Sequence, residues 1–342
     1  MRCYKNGILF LITTGILLST AQGAADKRIH LYLLFGQSNM AGAATAEAQD
    51  RVTNPRVKVL AYNTCSALSR TYDNWYVASP PLHECWNGVG PGDYFGKMMA
   101  DSLPSTDTIG LIPCAISGVD IAFFQKGVTS TRRSEFSIPP DNHWTGAYEW
   151  MIERCKLAQE YGVIEGIIFH QGESNSGQTD WVSKVKTIVN DLRTDLGIGE
   201  NAPFVAGELL YSQYGGTCSG HNTQVNRIPD SIPNSYVASA ANLTGQDQYH
   251  FNIAGQREFG KRYATLMLKA LHSSTDVVQN GKVLNVTSLN SLPENATVYS
   301  LNGRLIAAGN HLDKLKKMNN GTIYLVSQKG SSNKTRLMVN YK

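Results

Sequence analysis

Behind an apolar run at residues 29–35 stand Gly36-Gln37-Ser38-Asn39-Met40-Ala41-Gly42, and Ser38 is their candidate nucleophile. A serine hydroxyl attacks poorly at neutral pH unless a base takes its proton, a second group orients that base, and donors hold the oxyanion. Serines after strands are mostly turn formers or helix caps, so Ser38 gains a chemical reading only from partners elsewhere in the chain. Asp247-Gln248-Tyr249-His250 offers a carboxylate and an imidazole three residues apart. That spacing lets the carboxylate hold Nδ1–H while Nε2 faces a serine, although Asp247 equally suits a helix cap. Donor candidates follow two further apolar runs, as Ser117-Gly118 and as His170-Gln171-Gly172-Glu173. A glycine lets its N–H approach a ligand closely, and a glutamine amide can donate to an oxyanion. Four consecutive polar or flexible residues directly after a buried strand are hard to explain by packing.

These groups need elements to carry them. Strand-like runs recur at 29–35, 57–62, 108–116, 163–169, 203–210 and 236–240, and between them 144–161, 181–196 and 253–271 carry apolar residues at helical spacing. Strands alternating with helices predict a three-layer α/β/α fold around a parallel central sheet. Ligands in such sheets gather beyond the carboxyl ends of the strands, where Ser38 would stand. Residues 63–93 and 123–143 are polar, aromatic and too long for simple connections, so they are expected to roof the site. After residue 272 the pattern changes. Ser273-Ser274-Thr275 reads as a linker, and short β-like runs at 283–286, 297–300, 305–307, 322–326 and 336–339, with turns at Asn302-Gly303 and Asn320-Gly321, predict a small antiparallel β module.

Composition narrows the class. The chain has 342 residues and 42% hydrophobic content, enough for one α/β domain with a sizeable core and an appendage. Arg2 and Lys5, an apolar core at 7–18, and Ala21, Gly23 and Ala24 form a signal-peptide layout, so residues 1–23 are expected to be a leader and the protein to be secreted or displayed at the cell surface. No later segment is long enough to span a membrane. Export leaves Cys65, Cys85, Cys114, Cys155 and Cys218, with Cys65 and Cys85 the preferred disulfide pair and Cys114 a buried thiol. The histidines and cysteines show no metal-ligand spacing, and neither metal nor organic cofactor is expected. The net charge of +4 is uneven: residues 24–275 hold 20 basic and 24 acidic side chains, whereas residues 276–342 hold nine basic and three acidic. Basic residues scattered among strands of an exported chain read as a solvated face, so nucleic acid is not expected as a partner.

The ordered blocks at 36–40, Pro113-Cys114-Ala115-Ile116-Ser117-Gly118, 170–173 and Asp247-x-x-His250 resemble the SGNH hydrolases, with their flavodoxin-like fold. More narrowly they resemble the branch holding carbohydrate esterase family 6 acetylxylan esterases and sialate O-acetylesterases, and Gly88-Val89-Gly90-Pro91-Gly92 resembles a family element that precedes a helix. The resemblance covers 27–272. It implies that Ser38 is the nucleophile, His250 the base and Asp247 its orienter, with the Ser38 N–H, the Gly118 N–H and the Gln171 side chain as oxyanion donors. Gln37, Asn39 and Glu173 would support the site, and Glu173 could serve as an alternative acid. Ser117 departs from the family, which usually has a glycine there. The implied reaction is two-step acyl transfer from an acetylated polysaccharide or oligosaccharide, with acetylxylan first among substrates and sialate or other acetylated glycans as alternatives. A noncatalytic carbohydrate-binding protein on the same fold is the rival from another class.

Residues 298–306 and 320–326 resemble the β-sandwich sorting domain of substrates of the type IX secretion machinery of Bacteroidetes, against an accessory β domain as the plainer reading. Trp75, Tyr76, Trp86, Trp144, Tyr211 and Tyr214 fall in segments that could line a cleft, and aromatic faces suit sugar rings.

Overall fold

The computed structural model describes residues 29–128, 146–273, 296–300, 305–308, 323–328 and 337–340. The leader-like segment, Trp144, the run at 283–286 and both Asn-Gly turns lie outside the described residues.

The first strand, β1 (Ile29–Gly36), is an apolar run buried on both faces, as parallel sheets require of a central strand. On one side it pairs in parallel with β4 (Thr108–Ala115), on the other with β5 (Val163–His170). β6 (Phe204–Gly207) and β7 (Ser235–Ala238) extend the sheet beyond β5, and β2 (Val57–Leu60) extends it beyond β4, all in parallel. A three-residue strand, β3 (Trp75–Val77), closes that edge antiparallel to β2. The full order is β3-β2-β4-β1-β5-β6-β7. Its inner part, β4-β1-β5-β6-β7, is the flavodoxin-like arrangement, with β2 and β3 added at one edge.

Alternation along β1 sends side chains into two cores. Leu31, Leu33 and Phe35 join the layer of α3 (Ala147–Gln159) and α4 (Trp181–Asp195), where Trp150, Met151, Trp181 and Val185 are buried. Two single turns, α5 (Asn222–Val225) and α6 (Ile228–Ser231), lie between β6 and β7, and Tyr32 and Leu34 face α2 (Pro91–Ser102) and α7 (Ile253–Ser273), which contribute Phe95, Met99, Phe259, Tyr263 and Met267. Each such large apolar side chain contributes about 1.5–3 kcal/mol by leaving water. The result is the expected three-layer α/β/α fold.

Among the described residues the predicted strands and helices are present, with ends shifted by a few residues. Residues 63–93, expected only to roof the site, add elements that were not predicted from periodicity. They carry β3, too short to give a periodic signal, and the first residues of α2, which Gly90 precedes and Pro91 opens. The preferred disulfide is present: Cys65 and Cys85 are bonded with Cα atoms 5.7 Å apart. Cys114 and Cys155 are buried free thiols, and Cys218 is a partly exposed one. Four strands, β8 (Ala296–Ser300), β9 (Leu305–Ala308), β10 (Ile323–Gln328) and β11 (Leu337–Asn340), form a second, wholly antiparallel sheet in the order β11-β10-β8-β9. Among the described residues, no helix is long and apolar enough to cross a membrane.

Candidate active site

Register decides which loops meet. Gly36, at the end of β1, pairs with Ala115 of β4 on one side and with His170 of β5 on the other. The loops carrying Ser38, Gly118 and Glu173 therefore leave the sheet at one level, beside the point where the chain crosses from one side of β1 to the other. Gly36 has no alternative residue type, because a Cβ there would lie 2.0 Å from the His170 carbonyl oxygen. Its backbone then turns so that the Gln37 N–H donates to His170 O at 2.8 Å, and Ser38 opens a single helical turn, α1 (Ser38–Ala41).

His250 arrives from a segment 212 residues further along the chain than Ser38. Its Nε2 lies 2.8 Å from Ser38 Oγ, and its Nδ1 lies 2.8 Å from Asp247 Oδ2. The second carboxylate oxygen of Asp247 accepts from the N–H groups of Tyr249 and His250, both at 2.8 Å. Burial works against the charged carboxyl, but these bonds from the His250 side chain and the two backbone N–H groups hold it below its ordinary value. Asp247 does not cap the following helix. Asn252 does so, accepting from Gly255 N at 2.9 Å at the start of α7.

Asn39 locks this arrangement. Fully buried, it donates to the Tyr249 carbonyl at 3.0 Å and accepts from Phe251 N at 3.1 Å, gripping the residues on either side of His250. It also donates to Glu173 Oε1 at 2.7 Å and accepts from Gln256 Nε2 of α7 at 3.1 Å. Burial pushes the Glu173 carboxyl up to about 7 despite the bond from Asn39, and burial pushes the neighbouring His170 imidazole down to about 3. Glu173 thus borders the site as a carboxyl whose burial favours the protonated form, while Asp247 holds Nδ1 of His250.

The cleft has a volume of about 720 Å³ and is lined by Gln37, Ser38, Trp86, Asn87, Ser117, Gly118, Glu173, Ser174, Gln246, Tyr249 and His250, among others. Gly118 has φ of +72°, a left-handed turn that glycine adopts without strain, and its carbonyl is occupied by Ser174 Oγ at 3.1 Å. Neither its N–H nor that of Ser38 has a partner among the described residues.

Gln171 requires a correction. Its side chain is 1% exposed and does not line the cleft. Nε2 donates to Val119 O at 3.1 Å and to Asn175 Oδ1, while Oε1 accepts from Trp181 Nε1 at 2.6 Å. The amide is spent inside the protein, because β5 ends with that side chain turned toward α4. The glutamine at the cleft wall is instead Gln37, whose Oε1 accepts from Gly172 N and Ser174 N at 3.3 Å each. Its Nε2 makes neither of those bonds.

Of the aromatic residues singled out from sequence, Trp86 alone lines the cleft among those described. Trp75 and Tyr76 belong to the edge strand and pack on the two cores. Tyr211 and Tyr214 pack on the second core, with hydroxyls donating to Glu208 and Asn242 at 2.7 Å each. Tyr249, Gln246, Asn87 and Ser174 were missed. All four are immediate neighbours of the motif residues, which is the signal that would have found them.

Residues 28–269 match the model of the family described as carbohydrate esterase, sialic acid-specific acetylesterase. A protein of Arabidopsis thaliana named as a probable carbohydrate esterase is 28% identical over 186 residues, which is 49% of this chain and 64% of that relative, so the match spans less than two thirds of its length. Its solved structure superposes with a TM-score of 0.56 at 21% identity over 70% of this chain and 98% of that one. The structure of NanS gives 0.58 at 14% identity over 72% and 98%, and a carbohydrate acetylesterase of Xanthomonas citri gives 0.52 at 15% identity over 92% and 72%. At these identities the structures speak for the fold alone. The family match, covering most of the chain, says more: this chain belongs to the carbohydrate esterase, sialic acid-specific acetylesterase family.

Proposed function

We propose that this chain is a serine esterase that removes O-acetyl groups from carbohydrate. The observation that carries the proposal is the unbroken relay from Asp247 through His250 to Ser38, with both contacts at 2.8 Å. As Ser38 Oγ attacks the ester carbonyl, His250 Nε2 takes its proton, and Asp247 stabilises the imidazolium and keeps the ring in the working tautomer. The oxyanion is held by the N–H groups of Ser38 and Gly118, with the Gln37 amide as the third donor in place of Gln171. His250 returns the proton to the departing sugar hydroxyl. It then takes one from water, which attacks the acetyl-enzyme, and the proton passes back to Ser38 as acetate leaves.

The sialate O-acetylesterase type is favoured by the family match, and acetylated xylan is the second substrate class, on the resemblance to carbohydrate esterase family 6. Export is supported by the leader-like segment and by the Cys65–Cys85 disulfide, which suits an oxidising compartment. The antiparallel β8–β11 sheet is compatible with a sorting module recognised by type IX secretion machinery.

The test assays purified protein on p-nitrophenyl acetate, O-acetylated sialic acid and acetylated xylan, beside Ser38→Ala. The variant is expected to lose at least about a thousand-fold in acetate release. Equal release by variant and wild type would overturn the serine mechanism and leave the noncatalytic carbohydrate-binding reading.

A further inference from the structure

One side chain in the cleft has no part in the relay and is badly placed for a water-facing residue. Trp86 is 65% exposed, the largest aromatic ring left to solvent among the described residues, and it lines the same cleft as Ser38 and His250. With most of its surface open, the ring offers a flat face well suited to the C–H face of a pyranose.

The turn that carries it is held rigidly. The Glu84 N–H donates to Asn87 Oδ1 at 2.9 Å and the Asn87 N–H returns to Glu84 O at 2.9 Å, closing the turn around Trp86. The indole Nε1 donates to the carboxylate of Glu84, itself buried, which fixes the ring plane. Cys85, beside Trp86, is tied by its disulfide to Cys65. On the far side, Gly88 N donates to Gly42 O at 2.7 Å and Val89 N to Ala44 O at 2.7 Å, strapping the turn to the segment that follows Ser38. The two backbones lie so close that a Cβ on Gly88 would sit 1.9 Å from Ala44 O, and one on Gly42 2.5 Å from Gly88 O. The indole is therefore set at a fixed place relative to the nucleophile, which is what a binding platform requires.

We propose that Trp86 is a specificity-determining platform on which the sugar ring bearing the ester stacks while its acyl carbonyl reaches Ser38. Tyr249, 40% exposed and adjacent to His250, borders the same space from a segment distant in sequence. The ligand class is a pyranose carrying an O-acetyl group, so the inference rests on the carbohydrate-ester reading above. A small alkyl acetate such as ethyl acetate has no ring to stack and presents its carbonyl without the platform.

The test compares wild type, Trp86→Ala and Trp86→Tyr on ethyl acetate and on acetylated sugars, namely O-acetylated sialic acid and acetylated xylo-oligosaccharide. Trp86→Ala is expected to raise KM for the acetylated sugar about five- to tenfold, leaving kcat and the ethyl acetate constants near wild type. Trp86→Tyr should recover most of the loss. In a Ser38→Ala background, calorimetric titration with the same sugar should show Trp86→Ala weakening binding by a similar factor. Unchanged KM and affinity for the sugar, in a wild type that cleaves it, would overturn the platform and leave the esterase reading standing. A parallel loss on ethyl acetate would also overturn it, by marking Trp86 as structural. A wild type that cleaves ethyl acetate but neither sugar overturns the carbohydrate reading and the platform together, and one inactive on all three overturns the esterase.

Discussion

At Gln171 both ends of the amide are committed, to Trp181 on one side and to Val119 and Asn175 on the other. These bonds join α4 to the residue beside Gly118, so Gln171 acts on the cleft by placing the Gly118 loop. Gln171→Ala would leave a buried indole N–H without its acceptor, at a cost of about 1–3 kcal/mol. The expected outcome is a clear drop in Tm in thermal unfolding. A variant with wild-type Tm and a thousand-fold lower kcat would instead return Gln171 to the oxyanion hole. Residue type and position after β5 were legible in the sequence, but the direction of the side chain was not. It depends on which neighbour offers a partner, and Trp181 lies ten residues further on. Asp247 and His250 were easier to read. Their contact is local, and a three-residue offset brings the groups together in one turn.

Elements decide which loops converge. The parallel register of β1 with β4 and β5 puts the ends of three strands at one level, so loops separated by more than 50 residues in sequence share one cleft. Buried apolar runs made those strands readable; β3 escaped because three residues carry no period, and its pairing is set by β2 alongside. The connection that follows β3 relies on a covalent tie. Cys65 and Cys85 are 20 residues apart in sequence, and closing a loop of that size restricts the unfolded chain by about 3 kcal/mol. Replacing both cysteines by serine is expected to lower stability by roughly that amount in denaturant unfolding. Reductant should then have no further effect on the double variant. Identical midpoints for the oxidised wild type and the variant would show that the bond contributes nothing.

On the scale of the whole molecule, charge is arranged at the end of the sheet opposite the nucleophile. His30, near the start of β1, places Nδ1 2.6 Å from Glu165 Oε2 and Nε2 3.1 Å from Asp107 Oδ2. Burial opposes protonation of this imidazole, but the hydrogen bonds and charges of Glu165 and then Asp107 outweigh it and raise its pKa above the ordinary 6.5. The protonated form is thus favoured by folding. Its stabilising contribution is complete below about pH 6.5 and is lost as pH rises through the higher folded-state value. Comparing Tm of wild type and His30→Gln across this range should show the largest difference at the acid end, narrowing upward. A difference that grows with pH would refute the assignment. With six residues of strand, 31–36, between His30 and the turn that carries Ser38, about 20 Å, turnover per folded molecule should follow the site and not this cluster.

The sequence by itself determined the alternation of strands and helices, the Asp247–His250 contact and the preferred cysteine pair, because hydrophobic period and short-range spacing are local properties; Ser38 was joined to them only through the resemblance of the ordered blocks to a family. Tertiary structure alone decided that Gln37 and not Gln171 faces the cleft, that Asn39 grips both neighbours of His250, and that Trp86 stays in solvent while Trp75 packs away. Each of these depends on what the other side of a fold presents to a side chain, and that is a matter of register and packing between elements distant in the chain.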